Sequence, residues 1–259
     1  MAGAQPAIPH FDDAQTSRAK PDLSTLTRLR FLTSTEFFPF NFLDDRDQLV
    51  GFHVDLARAI CRELQIIDRC QIQVLPFEEL RDTLYDGGGE AIIAGIAITD
   101  ESRGEYLFSR PYLQFPARFL TGSDVAETFM DEPMAGKRVG VLADTAHEEM
   151  LRDLFSEVQV VTYSREEWLF ADLKQERIAA AFGDGMRFAF WLAGDEPEDC
   201  CAFSGGPYLA PEYLGHGLAI AVRPDLPALA SAIDYALQRI ETGSTFSELY
   251  LRSFPVSFY

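Results

Sequence analysis

The sequence predicts an α/β protein built from two lobes of similar plan. Three observations carry that prediction. Short apolar, β-rich runs alternate with amphipathic stretches of helix length, the pattern of parallel sheets flanked by helices. The β-α-β-α-β order occurs twice, once from Leu29 and again from Lys137. Two extended segments, Arg118 to Thr121 and Leu218 to Val222, lie at the joins, so the chain crosses between lobes twice. Two lobes joined in this way make a clamp with a cleft where strand C-termini and helix N-termini converge. Clamps of this kind close by hinge motion.

In chain order, residues 1–27 read as a flexible arm, and Leu29 to Thr33 as a short strand. Phe37-Phe38-Pro39-Phe40 is a turn, and Asp44 to Gln48 a charged, hairpin-like loop. A helix opens at Gly51, with Phe52, Leu56, Ala57, Ile60, Cys61 and Leu64 on one face. Gln71 to Leu75 is the next strand, and Leu80 and Leu84 mark a short helix ending at Gly87-Gly88-Gly89. Ala91 to Ile98 is nearly continuously apolar, as expected of a strand buried in a parallel sheet. It stops at the charged turn Thr99-Asp100-Glu101-Ser102-Arg103.

The second unit opens with a strand at Lys137 to Val141. Its first helix follows Thr145, with Met150, Leu151, Leu154 and Phe155 on one face. Val158 to Val161 is a strand, Trp168, Leu169 and Leu173 line a helix, and Ile178 to Phe182 is an apolar strand. Asp184 precedes a helix running to Leu192, and Pro227 to Ile240 and Phe246 to Leu251 are closing helices. The expected lobes are therefore 28–116 with 217–259, and 117–216.

The 259 residues suffice for two modest cores. Hydrophobic content of 47% and charged content of 24% are ordinary for a globular chain. A formal charge of −19 repels phosphate backbones and anionic membrane surfaces, which argues against nucleic-acid binding. No run of eighteen apolar residues is present, so no membrane span is expected. Met1 to Pro21 lack the basic start and apolar centre of a signal peptide, so an exported form would already have lost its signal.

The four cysteines show neither a CxxC pair nor metal-ligand spacing with histidine. Cys61 falls near a helix end and Cys70 at the next strand. They are read either as a bridge adding about 2–3 kcal/mol, conditional on export, or as two small buried thiols. Cys200 and Cys201 are adjacent, and adjacency works against comfortable disulfide geometry.

Phe37-Phe38-Pro39-Phe40, Gly51-Phe52-His53-Val54-Asp55-Leu56, Phe77 and Phe108-Ser109-x-Pro111-Tyr112 stand in a telling order. Gly136-Lys137-Arg138-Val139-Gly140-Val141, Arg177 to Asp184, Gly217 to Val222 and Tyr250-x-x-Ser253-Phe254 follow. Together they resemble the family 3 extracellular solute-binding proteins, which serve polar amino acid ABC transporters. The resemblance runs from about Leu29 to Phe254. It implies the periplasmic binding protein type II clamp, two Rossmann-like α/β lobes joined by two crossover strands. It also implies a monomeric periplasmic protein without cofactor, metal or catalysis. Such a protein captures an amino acid or related small zwitterion and delivers it to an ABC transporter membrane permease.

By that resemblance, Phe37 and Phe77 flank the ligand side chain, and Gly95 offers its backbone. Ala97 stands where a hydroxyl is common. Asp184 pairs with a ligand ammonium, and Thr145 with its carboxylate. Residue by residue, simpler roles compete: core rings for the two phenylalanines, helix caps for Asp184 and Thr145.

Three departures gather at the carboxylate end. Ser102 occupies the position of the family arginine, with Arg103 one place later; Ala97 lacks the hydroxyl; and Asp144 replaces a glycine beside Thr145. Either Arg103 reaches in, or that anchor is absent and Arg103 is a surface charge. Glu36 reads as a solvated carboxylate with an alternative role toward a cationic ligand group. Ser34 leaves side-chain specificity open, and His216 sits at the second crossing. The alternative reading is an enzyme resembling the cyclohexadienyl dehydratases, with Glu36, Asp144 or His216 as acid–base candidates.

Overall fold

The computed structural model describes residues 21–24, 26–195, 197, 200–254 and 256–259. The expected arm at 1–27 falls largely outside them. The described chain divides into two compact units, residues 21–113 with His216–Ser253, and Gln114–Gly215 with Phe254–Tyr259.

The first unit starts with strand β1 (Leu29–Thr33), the hairpin β2 (Phe42–Leu43) and β3 (Leu49–Val50), and helix α1 (Phe52–Glu63). The six residues expected on one face of α1 are all buried, so the 3.6-residue period was read in the right phase. Gly51 introduces α1 at φ +122, and a Cβ there would run into the Phe40 and Pro39 carbonyls. Only glycine fits this turn. Next come β4 (Cys70–Val74), α2 (Leu80–Tyr85), β5 (Ala91–Ile92), α3 (Asp100–Glu105) and β6 (Leu107–Phe108).

The inserted unit supplies β7 (Ala117–Gly122), β8 (Arg138–Leu142), α4 (Ala146–Leu154), β9 (Gln159–Tyr163) and α5 (Glu166–Lys174). It continues with β10 (Ala180–Asp184), α6 (Gly185–Leu192), β11 (Cys201–Tyr208) and α7 (Pro211–Leu214). The chain then returns to the first unit with β12 (Ala221–Val222), α8 (Pro227–Thr242) and α9 (Thr245–Ser253).

Each unit holds a five-stranded sheet, ordered β4-β1-β5-β12-β6 in the first and β11-β7-β10-β8-β9 in the second. β1 pairs in parallel with β4 and β5, and β8 in parallel with β9 and β10. The strands laid in from the crossings, β12 and β7, are antiparallel to their neighbours.

Four expectations are corrected. The strand expected over Ala91 to Ile98 ends after Ile92, because Gly95 turns the backbone at φ +78. The polar turn after Thr99 is a short helix, α3, whose N-cap is Thr99. Trp168 and Leu154 do not join the core but are about half exposed, and Phe170 is buried in Trp168's stead. Finally, β11 was not anticipated. It is an eight-residue strand pairing antiparallel with β7, with a register shift between Ser204 and Tyr208.

All four cysteines are paired, Cys61 with Cys70 and Cys200 with Cys201. The first bridge ties α1 to β4. The second joins neighbours at the start of β11.

Candidate functional site

In the first unit, the turn after β1 sets the geometry. Phe37 and Asn41 form an isolated bridge, and the Phe40 and Asn41 N–H groups donate to the Phe37 carbonyl. The Phe37 ring lies 4.6 Å from that of Phe40 and 5.8 Å from that of His53. Phe37 is only half-buried, and its ring covers Gly95. A Cβ on Gly95 would meet Phe37 Cε1 at 2.5 Å, on a backbone already at φ +78. Gly95→Ala is therefore expected to cost about 1–3 kcal/mol and displace the Phe37 ring. A lowered thermal midpoint with altered near-ultraviolet dichroism checks this.

Phe77 follows β4 and is 50% exposed, far from the fate of a core ring. It lines a cavity of about 370 Å³ with Glu36, Glu78, Ser34, Thr35 and Pro76. Glu36 and Glu78 are exposed carboxylates. The sequence reading named Phe77 but missed its neighbourhood, because Glu36 and Glu78 lie over forty residues apart. The β1–β4 register, which sets Thr33 beside Val74, brings them together.

Beneath the turn runs a buried polar chain. Asn41 Nδ2 donates to the Ser34 carbonyl at 2.8 Å, and Asn41 Oδ1 lies 2.7 Å from His53 Nδ1. His53 Nε2 lies 2.7 Å from the Tyr112 hydroxyl. An amide oxygen can only accept, so Nδ1 carries the proton and Nε2 accepts from Tyr112. Burial drives the His53 pKa down from 6.5 to about 3, so the ring is neutral, and burial raises that of Tyr112 well above its usual value.

Ser102 and Arg103 part company. The Ser102 hydroxyl donates to the Ala97 carbonyl at 2.7 Å and accepts the Thr99 N–H at 2.8 Å, while the Ser102 N–H donates to Thr99 Oγ1. Ser102 thus closes a capping box at the start of α3. Arg103 lines a separate concavity of about 470 Å³ with Tyr106, Phe108, Pro111 and His216. Phe37, Phe77 and Gly95 do not line it.

In the second unit, Thr145 and Asp184 share a cavity of about 230 Å³ with His147, Glu166, Phe182 and Arg187. Thr145 caps α4, accepting from the Glu148 N–H at 3.3 Å and donating to the Leu142 carbonyl at 2.8 Å. The return leg of the expected capping box is displaced by one residue, since Glu148 accepts from the N–H of Asp144 at 2.9 Å. Asp184 caps α6 through one oxygen, Oδ1, which accepts from Met186 and Arg187 N–H at 2.8 and 3.2 Å. Oδ2 makes no hydrogen bond recorded among the described residues.

Arg187 is paired with Glu166 at 2.6 Å. Burial lowers the His147 pKa, opposed by the nearby Asp184 carboxylate and reinforced by Arg187. His147 is a further cavity residue that the sequence reading assigned only to the capping stretch.

The family model for bacterial extracellular solute-binding proteins, family 3, matches residues 29–256. The chain belongs to this family. As a family 3 solute-binding protein it is 32% identical over 232 residues to the ABC transporter arginine-binding protein 1 of Escherichia coli K12. The match covers 90% of this chain and 93% of that protein. Among solved structures it resembles a Salmonella typhimurium periplasmic binding protein of high arginine specificity, with 32% identity and a TM-score of 0.51. That match covers 88% of this chain and 99% of the other.

An ancestral cyclohexadienyl dehydratase aligns with a TM-score of 0.73 over 90% of this chain and 95% of that one. At 17% identity it shows the fold alone. The relatives that resemble this solute-binding protein in sequence are named as binding proteins.

Proposed function

We propose that this protein captures a cationic amino acid in the periplasm and hands it, as a monomer, to the membrane permease of an ABC transporter. The observation that carries the cationic preference is the groove in which the exposed Phe77 ring sits with Glu36 and Glu78. A guanidinium or ammonium group is attracted to an aromatic face by roughly 0.5–2 kcal/mol, and a planar guanidinium matches a carboxylate in two-point geometry. The arginine-binding names of the relatives support the same class.

The α-ammonium is assigned to Asp184 Oδ2. Thr145 is assigned to the carboxylate end together with free N–H groups at the start of α4. Binding that favours one conformation is what the permease would read.

Isothermal titration with arginine and its uncharged analogue citrulline tests this reading. Arginine is expected to bind at least about tenfold more tightly, a difference of about 1.4 kcal/mol. Glu36→Gln should remove most of that preference and leave citrulline affinity unchanged. Equal affinity for the two ligands, or no binding of any cationic amino acid, defeats the proposal.

A further inference from the structure

The adjacent pair at the start of β11 has no part in the reading above. Cys200 and Cys201 together line a cavity of about 460 Å³. Its apolar wall includes Val125, Phe129, Leu173 and Ile178. Cys201 is 9% exposed and packs in a cluster with Leu120, Leu173 and Ile178, whereas Cys200 is half-buried. A disulfide in a cavity wall offers a sulfur to small molecules that enter.

We propose that Cys200–Cys201 is a thiol-exchange site, opened by a small uncharged thiol that enters this cavity, while Cys61–Cys70 stays closed under the same conditions. Two differences set the bridges apart. The first is access. Each bridge has one buried and one half-buried cysteine, Cys61 with Cys70 and Cys201 with Cys200, but Cys200 and Cys201 both line a cavity large enough for a small thiol. The second is what each bond holds. A disulfide stabilises chiefly by closing a loop. Cys61–Cys70 spans nine positions and joins a helix to a strand, whereas Cys200–Cys201 spans one and joins nothing apart from itself.

Opening the adjacent pair therefore leaves the fold in place. The strand end is independently held, since the Ser123 N–H donates to the Cys200 carbonyl at 2.9 Å and Cys201 pairs with Gly122 of β7.

Exchange runs in two steps. The thiolate attacks Cys200 Sγ and forms a new S–S bond. The Cys200–Cys201 bond breaks, and its electron pair goes to Cys201 Sγ, which takes a proton from water. A second thiolate then attacks the sulfur of the first small thiol in the mixed disulfide and releases Cys200 as the leaving thiolate, which is protonated in turn. Two small thiols are oxidised to one disulfide, and one protein disulfide is reduced. Asp124, Glu132 and Glu176 outnumber Lys137 and Lys174 around the cavity, which disfavours anionic thiols.

The test is a time course of the full chain with 2-mercaptoethanol under native conditions, quenched with iodoacetamide and read by peptide mass spectrometry. Modification of Cys200 and Cys201 is expected at least tenfold faster than of Cys61 and Cys70, with far-ultraviolet dichroism unchanged. The double variant Cys200→Ser, Cys201→Ser should lose the fast phase entirely. Equal or slower reaction at Cys200 and Cys201, reaction there only in denaturant, or a fast phase surviving in the double variant overturns the proposal.

Discussion

Asp184→Asn is expected to leave the protein as stable as the parent and to lower its affinity for a cationic amino acid at least about 100-fold. The two effects separate because Asp184 has two jobs on two oxygens. Oδ1 caps α6 through the Met186 and Arg187 N–H groups, and asparagine caps a helix about as well as aspartate. Oδ2 carries the charge assigned to the ligand ammonium. A charge-assisted bond of that kind contributes about 1.5–3 kcal/mol, and a hundredfold change corresponds to about 2.7 kcal/mol. Asp184→Ala should lose both, with an added stability cost of about 1 kcal/mol from the missing cap. Calorimetry gives the affinity and thermal melting the stability. Unchanged affinity in Asp184→Asn would remove this carboxylate from the ligand's contacts.

The second large effect concerns acid. His53 is neutral in the folded state, with its pKa driven from 6.5 down to about 3 by burial. The unfolded chain takes up a proton below pH 6.5, and the folded one does not until near pH 3. Stability from this group is therefore complete above pH 6.5 and is lost as pH falls through that window. The loss is about 1.4 kcal/mol per pH unit.

Between pH 6.5 and 4.5, His53 alone should account for roughly 2–2.5 kcal/mol in denaturant titrations. His53→Gln, which also carries a donor and an acceptor, should flatten that dependence while remaining folded. His53→Leu should instead cost about 2–5 kcal/mol at every pH, since Asn41 Oδ1 and the Tyr112 hydroxyl would be left buried without their shared partner. An unaltered pH slope in His53→Gln would show that the proton is taken up elsewhere.

The comparison with the sequence turns on range. The face of α1 was legible because its buried residues recur every three or four positions. The caps Thr145 and Asp184 were legible because a cap is set by the few residues after it. β11 was missed because Gly205, Gly206 and Pro207 interrupt the strand pattern, and its pairing partner β7 lies some eighty positions back.

The Ser34–Asn41–His53–Tyr112 chain was equally hidden. Its members sit on four separate stretches, and none declares its partner. The division of labour between Ser102 and Arg103 also required geometry. The sequence showed an offset of one residue; the structure shows the serine hydroxyl engaged in the α3 cap and the arginine lining a different concavity.

The strand order of the first unit also bears on how the chain is made. β12 sits between β5 and β6, yet it is encoded after the whole block Gln114–Gly215. At roughly 5–20 residues per second, β5 and β6 emerge from the ribosome about ten seconds before the strand that joins them. For that interval the nascent chain carries an open sheet edge, the sort of surface that invites pairing with another chain. The block 114–215 can meanwhile assemble most of its own sheet. The order along the chain thus leaves the sheet of the unit that begins first to be completed only after all strands of the inserted unit have been made.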